Sequence, residues 1–175
     1  MVIVGCDPGM NGALCAFWRA DAEGPEFVAD AIDIPTCADN SKTQVDVPAL
    51  GRWLRRVGAQ HFFIENVTPM PSRPNPNDPD AERRSMGATS AFRFGMAIGQ
   101  LRATAQTLGI PGTLVTPRVW KAYYELSGPD KEQSRQLALE LYPAAAIYLK
   151  RKKDHQRAEA ILIARWGDRK LRRSI

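Results

Sequence analysis

The sequence lacks the features that mark several large classes of protein. It has no continuous apolar run approaching the ~18 residues of a transmembrane helix, and it opens directly on an apolar, β-branched stretch, with no basic leader before it. It also contains no internal repeat and no low-complexity tract. We therefore expect no membrane partner and a protein that stays where it is made, in the cytoplasm of a bacterium or as a phage-encoded product.

Cysteine is scarce. The chain has three cysteines, Cys6, Cys15 and Cys37, and no two of them form a Cys-x-x-Cys pair. An odd count with this spacing indicates neither a disulfide framework nor a zinc site. Cys6 and Cys15 lie in apolar segments, so we expect them to be small buried side chains in a reducing compartment.

The composition is that of one globular domain. The chain has 175 residues, of which 44% are apolar and 25% charged, so it can bury a substantial core and falls outside the disordered and fibrous classes. No linker divides it, and we predict a single domain over residues 1–175. Segment 68–84 holds five prolines and two asparagines, a composition typical of an exposed, mobile loop.

Positive charge is concentrated in a basic C-terminal segment. Residues 150–173 contain ten Lys and Arg against three acids, a local charge of +7, which leaves −2 for the rest of a chain whose net charge is +5. Such asymmetry favours a polyanionic partner such as a nucleic acid. The alternative is a solvated basic tail, which is common.

The apolar periodicity predicts a mixed α/β sheet with helices on both faces. The predicted strands span 2–6, 14–18, 26–34, 61–65 and 113–115, and the predicted helices span 45–57, 85–108, 118–126 and 129–141, followed by a last helix from about 154. Within the second helix, Gly95 and Gly99 lie one turn apart. Each glycine in a helix interior lowers the stability of the helix by about 1 kcal/mol relative to alanine. We expect them to pack closely against the sheet; a dimer contact or DNA is the alternative.

Two predicted strands end in an acid. Asp7 follows the first strand and precedes a Pro-Gly turn, and Glu65 ends the Phe-Phe-Ile strand. Each could be a plain turn or strand-end residue. If the two strands are parallel neighbours, however, both carboxylates emerge at one edge of the sheet, where they would repel each other unless a cation lies between them.

A third acid lies where a helix should be buried. Glu159 precedes an apolar run, and His155 lies four residues before it on the same helix face, with Asp154 placed as the N-cap. A hydrogen-bonded pair and a metal-ligand pair both fit this spacing. Oxygen ligands and one imidazole, without a cysteine cluster, suit Mg²⁺ or Mn²⁺. Two such ions can activate water and stabilise the leaving oxygen in the hydrolysis of a phosphodiester.

These residues resemble the motifs of RuvC-type Holliday junction resolvases, in the ribonuclease H-like superfamily. The likeness covers nearly the whole chain and rests on segments 5–9 (Gly-Cys-Asp-Pro-Gly), 12–13 (Gly-Ala), 64–66 (Ile-Glu-Asn) and 158–164 (Ala-Glu-Ala-Ile-Leu-Ile-Ala). It is similar in particular to the monokaryotic chloroplast resolvase branch and its bacterial and phage relatives. The segments that carry this likeness are 115–117 (Val-Thr-Pro), 119–121 (Val-Trp-Lys), 125–128 (Glu-Leu-Ser-Gly), Lys131, 134–135 (Ser-Arg), 141–143 (Leu-Tyr-Pro) and 149–155 (Leu-Lys-Arg-Lys-Lys-Asp-His).

The resemblance implies a ribonuclease H-like, mixed five-stranded sheet and a homodimeric crossover junction endodeoxyribonuclease. Such an enzyme depends on Mg²⁺ or Mn²⁺, with two ions per active site, and makes two symmetric nicks in branched DNA. The implied metal ligands are Asp7, bridging both ions, Glu65 on one, and His155 and Glu159 on the other. Lys131 would act at the scissile phosphate.

The chain departs from the RuvC pattern around the third acid. Glu159 stands where Asp is usual, and Gln156 occupies the position of an acid typical of RuvC itself, so Asp154 is an alternative to His155 as the fourth ligand. The basic residues expected to hold DNA phosphates beside this site are Lys121, Arg135, Lys150, Arg151, Lys152 and Lys153.

Two other functions are compatible with parts of the pattern. The strand-Asp-x-Gly turn also occurs as a phosphate loop in nucleotide-binding domains of the actin and sugar-kinase type, but those proteins need two such domains. A junction-binding protein without catalytic activity is the other alternative, and the presence of all three acids argues against it.

Overall fold

In the computed structural model, residues 1–21, 24–39, 42–67, 87–126 and 132–173 are described. A five-stranded sheet with the strand order β3-β2-β1-β6-β7 forms its centre, and a separate two-stranded hairpin pairs β4 with β5. The strands are β1 (Val2–Asp7), β2 (Ala13–Arg19), β3 (Glu26–Asp33), β4 (Thr36–Asp39), β5 (Lys42–Val45), β6 (His61–Glu65) and β7 (Gly112–Val115). The predicted loop at 68–84 lies outside the described residues.

The sheet is mixed, as predicted. β1, β2 and β3 form an antiparallel meander, whereas β6 pairs in parallel with β1 and β7 pairs in parallel with β6. A parallel neighbour requires a crossover connection, and the segment between β3 and β6 supplies it through the hairpin and the first helix. The central strand β1 therefore has an antiparallel partner on one side and a parallel partner on the other.

Five helices and two short 3₁₀ turns surround the sheet in the described part of the chain. The helices are α1 (Val47–Val57), α2 (Ala88–Thr107), α3 (Pro117–Tyr123), α4 (Glu132–Leu141) and α5 (His155–Arg172), and the 3₁₀ turns are Pro143–Ile147 and Lys152–Asp154. Helices α3, α4 and α5 contribute to a core on one face, with Trp120, Ala138 and Ile161 among its members. Helices α1 and α2 cover the other face through residues such as Leu54 and Leu101. The prediction of helices on both faces is confirmed.

Helix boundaries followed the local signals where caps were present. The Asp46 side chain accepts a hydrogen bond from the Ala49 amide, and Gly58 ends α1 in the left-handed conformation, with φ of 67°. The predicted start at residue 45 was wrong because Val45 belongs to β5, in a hairpin that was not predicted. The predicted end of α3 at 126 was also wrong, since α3 ends at Tyr123 and Glu125 has a positive φ of 56°.

Gly95 and Gly99 do not pack against the sheet, and that prediction was wrong. No described atom lies within 4 Å of the position that a Cβ would take on either residue. Helix α2 instead buries Ala97, Leu101 and Ala105, so its helical rotation turns the two glycines outward. Both lie on the exposed side of α2.

Helix α5 lies unusually close to β1. A Cβ on Gly5 would overlap with the carbonyl oxygen of Ala160 and would lie 2.5 Å from the Ala164 amide nitrogen, so only glycine fits at this position of the strand. Glu159 is the residue just before this contact. The close approach therefore fixes the position of Glu159 over the sheet.

Buried and half-buried ion pairs join the C-terminal half of α5 to β2 and β3. Asp168 is fully buried, and its carboxylate lies 2.6 Å from Arg19 Nε and 2.8 Å from Arg172 Nη2. Glu26 lies 2.7 Å from Arg169 and 3.2 Å from Arg172. Part of the basic C-terminal segment is therefore neutralised inside the protein and is not a solvated tail. No helix in the described part of the chain combines the length and apolar character needed to cross a membrane.

Candidate active site

Asp7 and Glu65 end neighbouring parallel strands. Cys6 is the register partner of Ile64. The residues that follow them in the two strands, Asp7 and Glu65, therefore stand side by side at the carboxyl edge of the sheet. Side chains alternate along a strand, and Gly5 and Phe63 face α5, so Asp7 and Glu65, two residues further on, face α5 as well. The expectation that both acids emerge at one edge is confirmed.

Glu65 is buried and accepts a hydrogen bond from the indole of Trp120. Glu65 is 4% exposed, and Trp120 Nε1 donates a hydrogen bond of 2.8 Å to Glu65 Oε1. Burial raises the pKa of the Glu65 carboxyl above its ordinary value, and the negative charge of Glu159 adds to this, while the Trp120 bond and the Lys121 charge oppose it. A buried carboxylate with a raised pKa gains most from a bound cation.

Glu159 faces the same edge from α5. Lys121 Nζ donates to Glu159 Oε1 at 3.1 Å, and Ser134 Oγ lies 3.4 Å from the same oxygen. The Lys121 ammonium also lies 5.1 Å from the centre of the Trp120 ring. Helix α3 thus supplies two consecutive residues, Trp120 and Lys121, that hold two different acids.

Cys6 lies on the opposite face of β1, and the negative charge of this edge affects the pKa of its thiol. Burial raises the pKa of its thiol, and the charges of Asp7 and Glu65 raise it further. The side chain belongs to the core beneath α1 and α2. Cys6 is therefore an unreactive core residue, as expected.

Asp154 and His155 have different surroundings. The buried Asp154 carboxylate accepts hydrogen bonds from the Arg151 amide at 2.8 Å and from its guanidinium at 2.6 and 3.0 Å. Burial raises the pKa of Asp154, but these bonds outweigh it and lower the pKa overall. Asp154 caps α5 by position, without the expected side-chain bond to the helix amides.

His155 begins α5 and is half-buried. Its Nδ1 lies 3.3 Å from the Lys152 carbonyl oxygen. It shares the face of α5 that carries Glu159, one turn away. Because the Asp154 oxygens already accept bonds from Arg151, His155 is the better placed of the two to complete a site with Glu159.

The donor set suits a hard divalent cation. Three carboxylates, those of Asp7, Glu65 and Glu159, lie at one edge of the sheet, and oxygen is the ligand type that Mg²⁺ and Mn²⁺ take. Among the described residues, no three His, Cys, Asp or Glu side chains are close enough to form a metal site as they stand. The chemistry of the residues therefore fits such an ion, while two of the acids, Glu65 and Glu159, are held by Trp120 and Lys121.

The predicted basic residues fall into three groups. Lys121 lies inside the acid cluster, and the Arg135 and Arg151 guanidinium groups bind Glu132 and Asp154 within the protein. The exposed lysines next to the start of α5 are Lys150, Lys152 and Lys153. Lys131 lies outside the described residues.

Two residues of this site were not among the predicted site residues. Trp120 and Ser134 contact Glu65 and Glu159 across 55 and 25 residues of sequence. The sequence did contain one signal for Trp120. It lies beside Lys121, in a predicted helix that follows a strand and begins with a proline. Ser134 belongs to the Ser-Arg segment that carries the likeness to the chloroplast branch, but that likeness did not imply a role for it at the acids.

Solved structures with the same fold were found over nearly the full chain. Thermus thermophilus RuvC in complex with a Holliday junction substrate matches with a TM-score of 0.69 and 17% identity, covering 99% of this chain and 96% of that one. A second T. thermophilus RuvC structure has a TM-score of 0.60 at 17% identity, covering 96% and 98% of the two chains. The fowlpox virus Holliday junction resolvase has a TM-score of 0.57 at 11% identity, covering 98% and 99%.

At these identities the likeness establishes the fold. The predicted RuvC-like, ribonuclease H-like architecture is confirmed, whereas the likeness to the chloroplast branch stays a prediction. No protein-family model matches the chain. No curated protein sequence matches it either.

Proposed function

We propose that this protein is a structure-selective endonuclease that resolves four-way DNA junctions by metal-dependent phosphodiester hydrolysis. One observation carries the proposal: Asp7 and Glu65 stand side by side beneath Glu159, on a fold shared with RuvC over 99% of the chain. Two of the solved structures with this fold are named as Holliday junction resolvases or as complexes with junction substrate.

The acids would hold the metal. Asp7, Glu65 and Glu159, with His155 as the fourth group, would bind Mg²⁺ or Mn²⁺, two ions per site in the proposed arrangement. Metal bound there supplies the activation of water and the stabilisation of the leaving oxygen of a phosphodiester. Lys131 keeps its proposed role at the scissile phosphate.

The residues of α3 position the acids. The Trp120 N–H fixes one oxygen of Glu65 and leaves the other for binding. The Lys121 ammonium neutralises Glu159, which reduces the repulsion between Glu159 and Glu65. Because the Lys121 side chain is 37% exposed, it can also reach a phosphate brought to this edge.

The DNA backbone would lie across the exposed lysines before α5. Lys150, Lys152 and Lys153 lie within a few residues of His155, so phosphates held there are adjacent to the acids. Arg135 and Arg151 also pair with Glu132 and Asp154, and Arg151, whose side chain is 52% exposed, can still reach a phosphate at this surface.

The second subunit would pack on the exposed side of α2. Phe92 is 69% exposed and Met96 is 44% exposed, and they flank Gly95 on this helix. No described atom covers Gly95 or Gly99. A homodimer built there would present two active sites for two symmetric nicks.

The test is cleavage of a synthetic four-way junction in the presence of Mg²⁺. The wild-type protein should cut two opposed strands, and Asp7→Asn should bind the junction with unchanged affinity but not cut it. Glu140→Gln, at an exposed acid of α4, is the matched control and should cut normally. Wild-type rates in Asp7→Asn, or junction binding without cleavage by the wild type, would contradict the proposal. Tight ATP binding without junction binding would support a nucleotide-binding domain instead.

A further inference from the structure

A polar groove adjoins the proposed active site. It has a volume of about 450 Å³ and lies between the turn that follows β1, the end of β3 and the start of α5. Asn11 lies on one side, four residues after Asp7, and Gln156 lies on the other, three residues before Glu159. Part of the groove lining therefore comes from the same two segments of the chain that carry Asp7 and Glu159.

The charges that line this groove are already balanced within the protein. Asp33 is paired with Arg157 at 2.7 Å, and Asp154 is paired with Arg151 at 2.6 Å. The remaining charged residue of the lining is the exposed Lys153. A negatively charged DNA strand thus meets no uncompensated carboxylate in the groove.

The two amides of the groove have unused hydrogen-bonding capacity. Asn11 is exposed and Gln156 is half-buried, and neither side chain makes a hydrogen bond or another polar interaction with the described residues. Each carboxamide offers one acceptor oxygen and a donor NH₂ group. Paired donors and acceptors of this kind match the edge of a nucleobase, and Asn and Gln are the side chains that bind adenine in a bidentate manner.

Two apolar side chains also line the groove. They are Met10, which is half-buried, and Ile34, which is 4% exposed. A flat base could pack against them while its edge meets Asn11 or Gln156 and its phosphate meets Lys153. A backbone phosphate alone would use neither the apolar side chains nor the amide acceptors.

We infer that this groove binds a nucleobase of the cleaved strand next to the scissile phosphate, and that Asn11 and Gln156 set the sequence preference of cleavage. The inference rests on the proposed nuclease function and adds a specificity site to it.

The experiment measures which sequences are cut. Junctions with randomised bases around the crossover are cleaved by the full-length protein with Mg²⁺, and the nicked ends are sequenced. Asn11→Ala and Gln156→Met are compared with the wild type, and Gln136→Ala, at an exposed glutamine of α4, is the matched control. Thermal melting confirms that each variant is folded.

The expected result is a base preference at a position flanking the nick, reduced about five- to hundredfold in Asn11→Ala and Gln156→Met, with junction affinity kept. Gln136→Ala should retain the wild-type preference. Three results would overturn the inference. The variants could lose cutting equally at all sequences, which indicates a backbone contact, or they could keep the base preference of the wild type. The wild type itself could cut without any base preference. If the wild type cuts no junction, the proposed function itself fails, and the inference fails with it.

Discussion

Gly5 of β1 lies so close to Ala160 of α5 that a single methyl group on Gly5 would overlap with the Ala160 carbonyl oxygen. The contact sits one residue from Glu159 and two residues from Asp7, so the spacing between strand and helix sets the spacing between two of the proposed metal ligands. Close packing and the geometry of the candidate site are therefore the same structural feature.

Replacing Gly5 with alanine should destabilise the protein and impair cleavage together. The helix must move away from β1, and overpacking of this kind costs about 1–3 kcal/mol, which is roughly 2–12 °C in melting temperature for a chain of this size. Calorimetry and the junction assay measure the two effects. Gly51→Ala is the control: a Cβ there would meet only Thr104 Cγ2 at 3.8 Å, an ordinary contact, and it should stabilise α1 by up to about 1 kcal/mol.

Glu65→Gln should stabilise the protein at neutral pH and abolish cleavage. Burial raises the pKa of Glu65 in the folded state, so the folded state binds more protons and stability falls as pH rises through this interval. Glutamine keeps an acceptor for the Trp120 N–H but carries no charge. Denaturant unfolding with EDTA, at pH 4 and pH 8, measures the effect.

The gain from Glu65→Gln should be present at pH 8 and should vanish at acidic pH, where Glu65 is protonated in the wild type as well. A variant that is equally less stable at both pH values would contradict the assigned pKa shift. Glu140→Gln, at an exposed carboxylate, should show no such pH dependence.

His155→Ala and Asp154→Asn should separate metal binding from stability. His155→Ala is expected to lower Mn²⁺ affinity about 10- to 100-fold with little change in unfolding. Asp154→Asn should retain metal affinity but lose stability, since it weakens the charge-assisted bonds from Arg151, each worth about 1.5–3 kcal/mol. Calorimetric titration with Mn²⁺ and thermal melting provide the two measurements. The opposite pattern would assign the fourth ligand to Asp154.

Phe92→Glu should convert the proposed dimer to a monomer. The substitution places a charge at the centre of the exposed face of α2, where a second copy would have to bury it without a partner. Sedimentation velocity measures the molecular mass over a range of protein concentrations. Ile147→Glu, at a residue that is 63% exposed and lies in the 3₁₀ turn after α4, is the control and should leave the dimer intact.

The sequence was most informative where structure is local. Gly58 predicted the C-terminal end of α1 because it acts on backbone groups within three or four residues of itself. The β4-β5 hairpin was missed because Val45 and Val47 continue the apolar spacing of the helix that follows, although Val45 pairs with Thr36. The outward rotation of Gly95 and Gly99 was missed for a related reason: the spacing of small residues does not show which face of a helix is buried.

By itself, the sequence was enough to select the three acids of the candidate site, because Asp7 and Glu65 each end an apolar strand and Glu159 precedes a buried helical run. Only the tertiary structure decided that Trp120 holds Glu65 and Lys121 holds Glu159, contacts that span 55 and 38 residues. Such pairs depend on the parallel pairing of β1 with β6 and on the depth at which α5 lies on the sheet. That depth depends on Gly5 meeting Ala160, residues whose contact no local pattern encodes.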